Sequence, residues 1–189
     1  MSSQSDRDEV LYSTLIPSPL GDMLAVADDE AIQGLWFLEE GRLPRDMAKL
    51  AETLSPKGRL PPVMGVLRSW LRDYFARKNP PISFMKIMGG TDFQIRVWNE
   101  IDKIPYGETI TYGEIAEAVV KDDSQSPGAR TKLPYQAVGS AVGRNPISIV
   151  VPCHRVMGAG GKLTGYGGGL DRKRYLLELE CPGATKDFT

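Results

Sequence analysis

One histidine and two cysteines serve the whole of this 189-residue chain. A zinc site of the Cys/His kind needs a tetrahedral ligand set, and the adjacent pair Cys153 and His154 with a lone Cys181 does not provide one. No metal and no cofactor are therefore expected. Two isolated cysteines are also too few for a disulfide framework, so both read as thiols in a reducing compartment. Long apolar runs are missing as well. No stretch approaches the roughly 20 residues of a helical membrane span, and the polar start MSSQSDRDE does not resemble a secretion signal. A cytoplasmic setting without a membrane partner is expected. Neither charge is in excess, since 23 Lys and Arg stand against 24 Asp and Glu. Any contact with nucleic acid must then be made by a local surface. What remains, 41 % apolar and 25 % charged residues, is the profile of a folded globular chain with one large or two small domains.

Residues 10–38 hold three β-type runs, LYSTLI, MLAVA and GLWFL, separated by PSPLGD and DDEAIQ, which predicts a small antiparallel sheet. In PVMGVLRSWLRDYFARK the spacing of Val63, Val66, Leu67, Trp70, Leu71, Tyr74 and Phe75 predicts a helix ended by Asn79-Pro80-Pro81. After a Met-Gly-Gly hinge the pattern turns helical. Thr91 can cap DFQIRVWNEIDKI, and Thr111-Tyr112-Gly113-Glu114 is a capping box leading into EIAEAVV. The polar insert of residues 121–132 reads as a surface loop, and Pro134 opens a short Ala/Gly-rich helix that stops at Arg144-Asn145-Pro146. Two short helices so joined fit a helix-turn-helix. ISIVV reads as a buried strand, Gly158–Gly161 as a hairpin turn, and the end of the chain as an amphipathic helix through Tyr175, Leu176, Leu177 and Leu179. The fold class expected is α+β in two small domains. Residues 1–88 form an antiparallel sheet with a helix, and residues 89–189 a mostly helical domain with the helix-turn-helix and the segment PCHRV.

A thiol becomes nucleophilic on losing its proton, and at an ordinary pKa of about 8.5 only a few per cent is ionised at neutral pH. His154 is the only histidine available to take that proton, and Arg155 beside it favours the anion. Consecutive side chains on an extended segment point apart, so a bridging water is expected between Cys153 and His154. Glu180, at the end of the last helix, is a candidate to orient the imidazole. A Cys-His pair alone reads first as a small buried hydrophobe at the end of a strand, and the loop GYGGG alone as a flexible turn. The stretch GAGGKLTG lacks the first glycine and the Ser or Thr of a phosphate loop.

Taken together, Phe93-Gln94 to Trp98, Ile104-Pro105-Tyr106-Gly107, Thr111-Tyr112, Ala137-Val138-Gly139, Asn145-Pro146, IVVPCHRV, and Gly165 to Leu170 followed by Lys173 and Leu176-Leu177 stand in one order. In that order, residues from about 91 to 180 resemble the C-terminal domain of the O6-alkylguanine-DNA alkyltransferases. The resemblance implies DNA repair by a single, irreversible transfer of an alkyl group from O6 of guanine, in duplex DNA carrying alkylated bases, to Cys153. The acceptor would act without cofactor, on a base flipped out of the helix, with O4-alkylthymine left open as a further substrate. It implies His154 as base acting through water, Glu180 holding it, and Asn145 bracing the turn. Tyr112 would donate to the flipped base, backbone groups at Cys153 and Val156 would accept from the guanine amine, and Gly167, beside Tyr166 in the glycine loop, would lie near O6. Ala137 and Gly139 would let the second helix approach the groove.

One position departs from the family pattern. Where an arginine commonly precedes Ala-Val-Gly to fill the gap left by the flipped base, this chain has Gln136; Arg130, Lys132 and Arg144 are candidates to help. A monomer is expected. Two other readings of the sequence stay open, a damage-recognition protein that binds alkylated bases without reacting and a turnover cysteine hydrolase using Cys153 and His154.

Overall fold

A computed structural model describes residues 11–38, 60–86, 88–123 and 134–183. Strands β1 (Tyr12–Ile16), β2 (Met23–Ala27) and β3 (Ala31–Phe37) form where apolar residues lie between turn formers. Ser18 closes the first turn by donating to the Gly21 carbonyl. Asp28 closes the second with one carboxylate oxygen that accepts from the amides of Glu30 and Ala31. Because Asp28 satisfies both amides at once, this turn is short. Ala31 to Gln33, expected to separate two strands, therefore belong to β3. The three strands pair antiparallel in chain order, and a two-residue β4 (Met85–Lys86) adds to β3 in parallel.

Helix α1 (Pro62–Phe75) packs on β2 and β3. Its inward face is Val63, Met64, Leu67, Trp70, Leu71 and Tyr74, whereas Val66, expected in that face, is exposed. Helix α2 (Asp92–Asp102) starts at a reciprocal cap: Gln94 N donates to Thr91 Oγ1 and Thr91 N to Gln94 Oε1. Helix α3 (Tyr112–Asp123) starts on the same device, with Glu114 N donating to Thr111 Oγ1 and Thr111 N to Glu114 Oε2. Lys121 to Asp123, expected to be loop, continue α3; Arg130 and Lys132 lie outside the described residues. Helix α4 (Tyr135–Val142) packs against α2 and α3, and Trp98 Nε1 ties it to α2 by donating to the Ala141 carbonyl at 2.8 Å. Helix α5 (Leu170–Glu180) buries Lys173 and Glu180 together with Leu176, Leu177 and Leu179, while Tyr175 is exposed.

The segment ISIVV is buried but is not a strand. Ile147 makes a single bridge to Leu35, after which residues 148–150 turn. Val150 N donates back to the Ser148 carbonyl at 2.8 Å, and Ile149 between them sits at φ 69°. This is the rare three-residue turn with positive φ at its centre, adopted here by a β-branched residue at a cost on the order of 1–3 kcal/mol. A second such bond, from Cys153 N to the Val151 carbonyl, follows at once. The Gly158–Gly161 turn is likewise no hairpin. A 3-10 turn (Ala159–Gly161) occupies it, and β6 (Val156–Met157) pairs in parallel with β5 (Ile110–Thr111). One apolar cluster runs from Ile16 to Leu179. No helix among the described residues is long and apolar enough to cross a membrane.

Candidate active site

Asn145 holds the strained turn. Its Nδ2 donates to the Val151 carbonyl at 2.7 Å and to Cys153 Sγ at 3.0 Å, while its Oδ1 accepts from Ile147 N at 3.0 Å. From the other side Leu35 on β3 donates to the Pro146 carbonyl and accepts from Ser148 N, which fastens the turn to the sheet. Cys153, His154 and Arg155 form a 3-10 turn rather than an extended segment. The geometry that made their side chains diverge is thus not the one adopted.

Below Cys153 lies a buried polar network centred on Glu180. Its Oε1 accepts from Tyr74 Oη at 2.6 Å, from His154 Nε2 at 2.8 Å and from Arg155 Nη2 at 2.8 Å. Its Oε2 accepts from Arg155 Nε at 2.8 Å and from Gly107 N at 3.1 Å. Burial pushes the Glu180 carboxyl up, but the hydrogen bonds and charges of His154 and Arg155 outweigh it and hold the group ionised, well below its ordinary range. Arg155 also donates to the Ile104 carbonyl at 2.6 Å. Its guanidinium hydrogen bonds are therefore all directed at Glu180 and the Ile104 carbonyl. Lys173 couples electrostatically to Cys153, and its buried Nζ donates to the carbonyls of Val156 and Thr164. Burial lowers its ammonium to about 8, opposed by the Cys153 charge.

Burial lowers the pKa of His154, and the bond to Glu180 only partly opposes this, so the imidazole is neutral at neutral pH. An ionised carboxylate can only accept, so Nε2 carries the ring proton and Nδ1 keeps a bare lone pair. Nδ1 is buried and has no hydrogen-bond partner among the described residues. Burial, then Glu180, pushes the Tyr74 hydroxyl well up, so it stays a phenol and a donor.

Cys153, 5 % exposed, lines a cavity of about 640 Å³ with Trp36, Gly139, Arg144, Asn145, Ser148 and Tyr166 among its walls. A neighbouring cleft shares Gly139, Tyr166 and Gly167 with it and adds Tyr112. Tyr112 Oη donates to the Gly165 carbonyl at 2.9 Å. Burial, then Cys153, pushes its pKa up to about 12. Gly165 has φ 49°, and a Cβ there would come within 2.8 Å of Tyr112 Oη, so the contact requires glycine.

Residues 92–181 match the family described as the DNA-binding domain of 6-O-methylguanine DNA methyltransferase. Over 180 residues the chain is 41 % identical to a methylated-DNA–protein-cysteine methyltransferase of Mycobacterium tuberculosis, covering 95 % of this chain and 98 % of that one. The chain belongs to the methylated-DNA–protein-cysteine methyltransferases. The crystal structure of Mycobacterium tuberculosis O6-methylguanine methyltransferase superposes with a TM-score of 0.72 at 38 % identity, covering 94 % of this chain and 98 % of that one. A structure of the Mycobacterium tuberculosis protein in complex with DNA gives 0.69 at 40 % identity over 89 % and 92 % of the two chains.

In this member of the methyltransferase family, Cys153, Asn145, Gly139, Arg144, Tyr166 and Gly167 meet at the cavity, with Tyr112 in the adjoining cleft and His154 and Glu180 beneath. Gln136 and Ala137 are exposed on α4 and do not line the cavity. Val156 is buried, does not line the cavity, and has its carbonyl engaged by Lys173. Three residues of the site have roles not assigned from the sequence. Tyr74 is visible there only as a core position of α1. Lys173 lies three, four and seven residues before Leu176, Leu177 and Glu180, so the apolar periodicity of α5 already marks a lysine facing inward. Trp36 looks like an ordinary strand residue.

Proposed function

We propose that this protein repairs duplex DNA by moving an alkyl group from O6 of guanine to its own Cys153, once per molecule. The observation that carries this reading is a buried cysteine on a cavity wall, followed by a neutral histidine that a buried carboxylate fixes in one tautomer. His154 Nδ1 takes the thiol proton through a bridging water. The thiolate attacks the alkyl carbon, the bond between that carbon and O6 breaks with its electrons passing to the base, and the guanine anion so released takes up one proton, which balances the one lost by the thiol, to leave a thioether and guanine. Imidazolium formed in the step is stabilised by Glu180, whose charge Arg155 and Tyr74 already hold in place. A thioether has no leaving group that water can displace, so the reaction is not reversed.

The guanine must leave the helix to reach Cys153, and a poorly paired, alkylated base costs least to extrude. Tyr112, a phenol at any physiological pH, turns its hydroxyl from the Gly165 carbonyl to serve as donor to the extruded base. Helices α3 and α4 provide the DNA-facing surface, with Gln136 and Arg144 in place of a single arginine, and contacts made mainly to phosphates suit scanning without sequence preference. Intact mass after mixing with a duplex containing one O6-methylguanine tests this. A gain of one methyl, mapped to Cys153, is expected; tight binding of the lesion with no mass gain would move the protein to damage recognition.

Methylation is also expected to weaken the fold. It adds bulk at Sγ and spoils the Asn145 contact, and Asn145 is what holds the strained Ile147–Val151 turn. A loss of about 1–2 kcal/mol follows from one such bond and its neighbours. That lowers Tm by about 2–4 °C per kcal/mol in a chain of this size. Melting the protein before and after stoichiometric reaction checks it, and an equal or higher Tm for the reacted form excludes the argument.

A further inference from the structure

Trp36 is the residue of the N-terminal sheet that reaches the cavity holding Cys153. Two local features bring it there. Leu35 fastens the edge of β3 to the Pro146–Ser148 segment, with amide contacts of 2.9 and 2.8 Å. The next side chain therefore emerges beside the active-site turn. Gly34 and Trp36 share a face of the strand, and a Cβ at Gly34 would lie 1.9 Å from the indole Cη2. The indole thus folds flat over the bare backbone of Gly34, and glycine there decides where the ring lies. Trp36 is half-buried, so part of the ring is left to the cavity.

The cavity has room beyond a methylated base, since about 640 Å³ falls within the range that holds drug-sized ligands. Its apolar material is unevenly supplied. Val142, Tyr166 and Trp36 provide it, against Ser140, Arg144, Asn145 and Ser148. Transfer to Cys153 requires the O6 substituent, not the base, to sit nearest the thiol. A planar substituent larger than methyl therefore finds an aromatic surface supplied by β3.

We propose that Trp36 forms an aromatic subsite for planar O6 substituents, and so sets how well the pocket takes a benzyl-type adduct relative to methyl. This rests on the reading of Cys153 as acceptor of the O6 alkyl group. Aromatic pairs contribute beyond their buried area by an amount equivalent to about two- to tenfold in rate when the contact is made in the transition state.

The test compares single-turnover transfer from duplexes containing O6-methylguanine and O6-benzylguanine in the wild type, Trp36→Ala, Trp36→Phe and Gly34→Ala. The benzyl-to-methyl rate ratio is expected to fall about five- to tenfold in Trp36→Ala, to recover most of that in Trp36→Phe, and to fall in Gly34→Ala, where the indole is displaced but present. A ratio unchanged in both alanine variants overturns the subsite. A second readout does not depend on turnover. Of the three tryptophans Trp36 lines this cavity and Trp70 and Trp98 do not, so the part of the emission that is lost in Trp36→Phe reports the cavity. Titrating O6-benzylguanine base into Cys153→Ser should shift that emission, and adding Trp36→Phe should remove the shift. A shift that survives Trp36→Phe places the ligand elsewhere. If the wild type takes no methyl from DNA, the reading of Cys153 as acceptor fails, and the fluorescence titration still decides whether Trp36 binds aromatic ligands.

Discussion

Cys153→Ser is expected to abolish alkyl transfer while leaving the fold and the binding of alkylated duplex in place. The two side chains are close in shape, and a serine hydroxyl accepts from Asn145 Nδ2 as Sγ does at 3.0 Å, so the stability change should stay within about 1 kcal/mol. Reactivity is another matter. An alcohol is far less acidic than a thiol, and a buried neutral imidazole whose pKa is lowered cannot generate an alkoxide. The loss should be on the order of a millionfold, the scale on which removal of a catalytic nucleophile is felt. Intact mass after prolonged incubation reads transfer and gel shift reads binding. Cys181, exposed just after α5, is an internal control. A methyl gained by the Cys153→Ser variant, at Cys181 or anywhere else, would mean that Cys153 is not the acceptor.

Much of this architecture could be read from the chain because the local signals agree with the tertiary packing. The caps at Thr91 and Thr111, the strands flanked by Pro17 and Asp28, and the apolar stripes of α1 and α5 are all short-range features, and each appears in the structure near its predicted place. The failures come where long-range contacts overrule composition. Ile147 to Val151 is β-branched enough to read as strand, yet Asn145 and Leu35 bend it into a strained turn that aims Cys153 at the cavity. A pattern of residue types carries no trace of that constraint. The same holds for Arg155. Its neighbour in sequence is the thiol-histidine pair, but its partner in space is Glu180, twenty-five residues on. Tyr74 could not be told from a core aromatic, because the acceptor of its hydroxyl comes from the far end of the chain.

Loss of Glu180 should be the most damaging substitution outside the thiol. Five hydrogen bonds from Tyr74, His154, Arg155 and Gly107 converge on this one carboxylate. In Glu180→Ala the Arg155 guanidinium stays buried with its counter-ion gone, and breaking such a pair from one side costs about 3–5 kcal/mol. For a domain of ordinary stability that is a large fraction of the whole. Glu180→Gln keeps the volume but has one acceptor oxygen where donors converge on two, so its amide nitrogen meets a donor whichever way it turns, the charge that stabilises the imidazolium is gone, and the transfer rate should fall even where the protein folds. Acidity separates the two effects. His154 has its pKa lowered by burial, so the unfolded chain takes up a proton that the folded chain refuses, and stability falls as pH drops below the ordinary histidine value of 6.5. Glu180 is held below its ordinary 4.5, so its contribution is complete above that pH and is lost as pH falls further toward the folded value. Denaturant unfolding of the wild type between neutral pH and the carboxylate range should therefore show two successive losses. Glu180→Gln should keep the upper loss and show a smaller lower one, since Asp73 and Glu114, held low by hydrogen bonds from Lys78 and Thr111, still titrate there. An identical pH profile in the two proteins would show that the carboxylate is not the charge on which the network stands.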